Sequence, residues 1–137
     1  MLLILLMLGC LNSKEECNET RSDQTGSYEM KTDWESGNCG GIGDLEVKVD
    51  RGIVYVDESI GCTLTEQSWE PETCTTRSVH DCNDGVWAMN MRWQVTSTGE
   101  GELSGRLEAW MLDIYGYECE GSWTFKATKL DQPDTGE

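Results

Sequence analysis

His80-Asp81-Cys82-Asn83-Asp84-Gly85 is the one cluster in this chain that invites a catalytic or metal reading. Asp81, Asn83 and Asp84 offer the hard oxygens that calcium takes. An EF-hand loop, however, spaces its donors as D-x-[DN]-x-[DN]-G with a later Glu, and this run is a residue short. Asn-Asp-Gly ahead of an alternating apolar run is ordinary turn chemistry, because Asn and Asp side chains bond nearby backbone and glycine tolerates positive φ. His80 is the sole histidine, so a Ser-His-acid triad would have to use it, and no G-x-S-x-G elbow accompanies it. A histidine-based zinc site lacks partners. Glu118 and Glu120 share a strand parity and could serve as a glycosidase pair, but with 26 acidic side chains such pairs arise by chance. Cys39-Gly40-Gly41-Ile42-Gly43 lacks the later glycine and the helix of a dinucleotide fingerprint and reads as a loop. Asn18-Glu19-Thr20 is a glycosylation sequon that matters only in eukaryotic secretion. No catalytic residue, metal or cofactor is assigned, and a hydrolase ranks below a binding protein.

The cysteines carry more information. The opening Met1 to Leu8 is a run of eight apolar residues followed by Gly9 and Cys10. As a helix it would extend roughly 12 Å against a hydrocarbon core of about 30 Å, too short to span a bilayer. It has the size of the h-region and cleavage zone of an export signal. Leu6-Met7-Leu8-Gly9-Cys10 resembles the lipobox of bacterial lipoproteins, with Gly9 and Cys10 matching and Met7 and Leu8 standing where Leu and a small residue are usual. The basic n-region of such a signal is expected upstream of Met1. The resemblance implies cleavage before Cys10, a diacylglycerol on its sulfur, and an acyl chain such as palmitate on the new amino terminus. It implies membrane attachment through Cys10 and a place in the bacterial cell envelope, at the outer membrane. Residues 1–9 are then the signal and 10–26 a polar tether.

With Cys10 set aside, six of the seven cysteines remain: Cys17, Cys39, Cys62, Cys74, Cys82 and Cys119. An even number in an exported domain predicts three disulfides, and about fifteen pairings are open, including a short local loop between Cys74 and Cys82. No C-x2-C pair occurs among them, which argues against structural zinc. The formal net charge of -16 repels phosphate backbones and excludes nucleic acid as a partner. It equally argues against a basic patch on anionic lipid.

The elements that must position these groups are strands. Trp87, Met89, Met91, Trp93 and Val95 fall on one parity with Asn90, Arg92 and Gln94 on the other, a half-buried strand. After the turn composition of Thr98 to Glu102 comes a second run, Leu103 to Ile114, broken by Tyr115-Gly116-Tyr117-Glu118. A third, Cys119 to Leu130, sets Trp123, Phe125 and Ala127 against Thr124, Lys126 and Thr128. The three predict an antiparallel meander. Tyr28, Met30 and Trp34 alternate with charged residues, as do Leu45, Val47 and Val49. Arg51-Gly52 then turns into Ile53 to Val56, a hairpin signature, and one more strand covers Cys62 to Trp69 before Pro71. No mature segment sustains a helical period, so the expectation is a single all-β antiparallel domain over 27–130. It has about seven strands, as a meander barrel or sandwich, with a polar tail at 131–137.

Six tryptophans in so small a domain raise the question of an apolar ligand. Trp87, Trp93 and Trp123 lie on inward parities and read as core. Trp110 shares parity with Glu108, opposite Leu107, Ala109 and Met111, and is the candidate for a surface contact. The resulting expectation is a lipid-anchored, non-enzymatic binding or structural module with a protein or small-molecule partner. The alternative is a small barrel carrying an apolar ligand in a Trp- and Met-lined interior.

Overall fold

The computed structural model describes residues 24–56 and 61–130. Cys10, Cys17, the signal, most of the tether and the tail lie outside the described residues. Eight strands run in chain order: β1 (Gly26–Gly37), β2 (Leu45–Asp50), β3 (Ile53–Tyr55), β4 (Cys62–Glu70), β5 (Thr75–Asn83), β6 (Trp87–Gly99), β7 (Glu102–Asp113) and β8 (Glu118–Lys129). They form one antiparallel sheet in the order β3-β2-β1-β8-β7-β6-β5-β4, curled until it nearly closes into a barrel, with β3 packed against β5 and β6 across the seam. The architecture is therefore a barrel and not a sandwich.

The expected meander is present. β6 pairs with β7 from Trp87↔Asp113 to Gly99↔Glu102, and β7 pairs with β8 from Glu102↔Thr128 to Leu112↔Glu118. Alternation decides which side faces in. Met91, Trp93 and Val95 of β6, Leu103 and Leu107 of β7, and Trp123, Phe125 and Ala127 of β8 are all buried. Tyr28 and Met30 of β1 with Val47, Val49 and Val54 of the β2–β3 hairpin complete this core. Each such side chain removed from water contributes about 1.5–3 kcal/mol. Trp93 meets Phe125 edge-on, with ring centroids 5.7 Å apart. Gly105 occupies an inward site on β7 where a Cβ would collide with the Gln94 carbonyl oxygen and the Phe125 ring, so only glycine lets the two strands approach this closely.

One strand more than expected is found, and it is β5. Its inward side chains are Thr76, Ser78, His80 and Cys82, which alternate with Thr75, Arg77, Val79 and Asp81. The period of two is there, but the inward set is mostly polar, so a search for apolar alternation passes over it. Trp34 also departs from expectation. It is in register with the buried Trp123, but a bulge between Trp34 and Ser36 shifts the pairing, and it is 53% exposed with Nε1 donating to the Ser36 carbonyl.

Disulfides join Cys39 to Cys119 and Cys62 to Cys82, with Cα atoms 5.0 and 3.9 Å apart. The local Cys74–Cys82 loop is thus ruled out: Cys82 faces Cys62 directly across the β4–β5 ladder. Cys74 is disulfide-bonded as well, and its partner lies outside the described residues.

Candidate functional site

The Cys39–Cys119 and Cys62–Cys82 bridges sit at the same end of the barrel, the end where β1 and β7 finish and β6 and β8 begin. Inside this end lies a cavity of about 520 Å3 whose walls include Met89, Met91, Trp93, Leu107, Met111 and Trp123. Its presence follows from the sequence. Methionine and tryptophan point inward in turn along β6, while on the neighbouring β7 Ala109 supplies little volume to fill the space between. The Cys39–Cys119 bridge lines the cavity and fastens the 38–44 loop, whose Gly40 carbonyl accepts a hydrogen bond from Trp123 Nε1 at 2.9 Å. Ile42 and Tyr117, both exposed in part, stand on the lining as well and mark its mouth.

That mouth carries an apolar rim that sequence reading did not foresee. Trp34, Ile42, Val86, Ile114, Tyr115 and Tyr117 are six of the seven exposed large hydrophobic residues among those described, and all are at this end. They are held on ordered turns. Asp84 Oδ1 accepts the amides of Val86 and Trp87, Asp113 Oδ1 accepts those of Tyr115 and Tyr117, and the Ile114 amide donates to the Val86 carbonyl. Asp84 therefore does turn chemistry. Among the described residues no group of three His, Cys, Asp or Glu side chains could hold a metal ion.

A second space of about 540 Å3 runs along the seam beside β3 and β5, past Tyr55, Cys62 and His80, with Lys48 and Asp50 among its charged lining residues. Val56 and Met91 line both chambers. His80 is buried, packs edge-on against Tyr55 with ring centroids 5.5 Å apart, and is held neutral: loss of hydration lowers its pKa from 6.5. Thr76 Oγ1, Ser78 Oγ, His80 Nε2 and Trp93 Nε1 are all shielded from solvent, and none has a hydrogen-bond partner among the described residues.

Outside the barrel, Trp110 is half-buried on the face of β7 that points away from the core, and its Nε1 donates to Glu118 Oε1 at 2.8 Å. It borders a shallow depression that also includes Arg92, Arg106, Glu108 and Ser122. Arg106 is drawn down there by Ser122 Oγ at 3.1 Å and by Glu35 and Glu108 at 3.4 and 3.5 Å. Glu118 and Glu120 both lie on this outer face, with Cys119 between them turned inward. Of the tryptophans read as core, Trp93 and Trp123 are buried and Trp87 is partly covered at the cavity end. Comparison with protein-family models, with curated proteins and with solved structures finds no match for this chain.

Proposed function

We propose that this chain is a non-enzymatic, lipid-anchored protein of the bacterial cell envelope whose barrel carries a small apolar ligand. One observation carries the choice of a carrier over a purely structural module: the cavity of about 520 Å3 walled by methionine and tryptophan. Sites of about 300–1,000 Å3 with predominantly apolar walls are the usual dwellings of small ligands. Methionine walls add adaptability, because an unbranched thioether side chain can reshape around its guest. The rim of exposed apolar residues around the mouth gives such a ligand a favourable approach. Attachment at the membrane rests on the lipobox-like run ending at Cys10, and the surplus of acidic side chains keeps the domain away from nucleic acid.

Titration of the full chain with N-phenyl-1-naphthylamine, a neutral apolar fluorophore, tests the carrier. One saturable site per chain is expected, with quenching of tryptophan emission, and Ala109→Phe, which fills the cavity wall, should abolish it. Fluorescence that rises without saturating, or that is unchanged in Ala109→Phe, rejects an interior site.

A further inference from the structure

Taking the interior cavity as the ligand site, we propose that its ligand is an uncharged amphiphile, an apolar body bearing a hydroxyl or carbonyl oxygen. Its polar group is held by Ser78, His80 and Trp93 on the inner wall formed by β5 and β6.

These three residues are neighbours by register. Ser78 stands opposite Trp93, and His80 opposite Met91, on adjacent strands whose alternate side chains all point inward. Each is about 2% exposed, and Ser78 Oγ, His80 Nε2 and Trp93 Nε1 have no partner among the described residues. Buried polar atoms are nearly always hydrogen-bonded, and leaving one bare is costly, so these three, next to the equally bare Thr76 on the polar inner face of β5, call for something that pairs with them. Trp93 lines the apolar chamber, His80 the seam chamber and Met91 both, while Ser78, beside Trp93 in register, lines neither. A guest reaches these shielded atoms only if the wall gives, and the flexible Met91 side chain, which lines both chambers, is the group whose rotation would open the way.

The chemistry of the cluster selects the head group. An indole N–H only donates, so the guest must accept, which requires an oxygen with free lone pairs. Ser78 Oγ can donate or accept, and a neutral imidazole presents one donor and one acceptor nitrogen, so a hydroxyl is matched in both directions. A carboxylate is disfavoured. His80 is neutral, and the lining of the two chambers includes Glu46 and Asp50 against a single lysine, Lys48, in a chain of net charge -16. A cationic head is disfavoured by the donor-only indole.

Displacement of N-phenyl-1-naphthylamine from the full chain by octan-1-ol, octane and octanoate tests this, with the ratio of the alcohol's Kd to the alkane's compared between the parent and Ser78→Ala, Trp93→Phe and His80→Phe. Taking that ratio within each protein removes the difference in hydrophobicity between the two ligands. Each substitution should raise it about five- to tenfold, the worth of one hydrogen bond. Octanoate should bind more weakly than octan-1-ol. Should a variant fail to fold, the parent still decides, because His80 is the only histidine and its ring nitrogens give an unambiguous NMR signal. That signal should shift with octan-1-ol and not with octane. Unchanged ratios, a His80 signal indifferent to the alcohol, or octanoate binding tighter than octan-1-ol would each overturn the head-group assignment while leaving an apolar carrier intact. If the fluorophore finds no site at all, the carrier and the head-group site fall together.

Discussion

A single buried imidazole makes this protein's stability sensitive to mild acid. Burial holds the His80 pKa below its ordinary 6.5, so between those two values the unfolded chain takes up a proton that the folded chain refuses. Stability is therefore flat with respect to this group above pH 6.5 and is lost as pH falls from 6.5 towards the folded-state pKa, at up to about 1.4 kcal/mol per pH unit. Denaturant unfolding at pH 7.5, 6.5 and 5.5 should show the parent losing stability relative to His80→Phe, whose carboxylates titrate in common with it. Parallel curves would mean that the ring is solvated in the folded state. The tryptophans sort in the same way, by what surrounds each ring. Trp93→Ala and Trp123→Ala, buried at 2% and 3%, should each cost about 3–5 kcal/mol. Trp110→Ala, on the outer face with one hydrogen bond to Glu118, should cost nearer 1 kcal/mol. Thermal melts separate the two groups, and a Trp110 variant as unstable as the other two would place that ring in the core.

At the scale of elements, the cross-links divide the work unequally. Cys62–Cys82 joins adjacent strands across a separation of 20 residues, whereas Cys39–Cys119 spans 80 and fastens the loop that walls the cavity. In the chain-entropy picture these restrict the unfolded chain by about 3 and about 4.5 kcal/mol respectively. The double substitution Cys39→Ser with Cys119→Ser should therefore be the more destabilising, and it alone should weaken fluorophore binding. Equal loss of binding in the Cys62, Cys82 pair would mean that the cavity depends on β4 as much as on the 38–44 loop. Peptide mapping of the unreduced protein gives a second check. If Cys10 carries the proposed lipid, Cys74 should be found joined to Cys17, the one cysteine then left for it. A Cys10–Cys74 bridge would refute the anchor.

For the molecule as a whole, the proposed membrane location rests on one atom, the sulfur of Cys10. Native protein should partition into detergent and Cys10→Ser into the aqueous phase, since stable anchoring needs more than one acyl chain and the lipoprotein modification supplies them. An unmodified Cys10 in mass spectra would break the link to the membrane. What the sequence determined by itself is the part written in apolar alternation. The β6–β7–β8 meander, the β2–β3 hairpin and the inward Trp93 and Trp123 were all legible, because a two-residue period fixes which side chains share a face wherever one face is wet. β5 was hidden by the same logic, since its inward residues Thr76, Ser78 and His80 are polar and leave no hydrophobic stripe to detect. Closure lay beyond reading too: nothing local says that β3 will come round to pack on β5 and β6, and without that curl there is no interior. Nor could spacing choose among disulfide pairings, as Cys39 meets Cys119 only once β1 and β8 are paired. Even the rim is a tertiary product, because residues as distant as Trp34, Val86 and Tyr117 share one end only after β1, β6 and β8 are laid antiparallel in register. Faces follow from local geometry, but a cavity is the volume left between faces, and only the closed sheet decides where three bare polar atoms and a Met-lined space will meet.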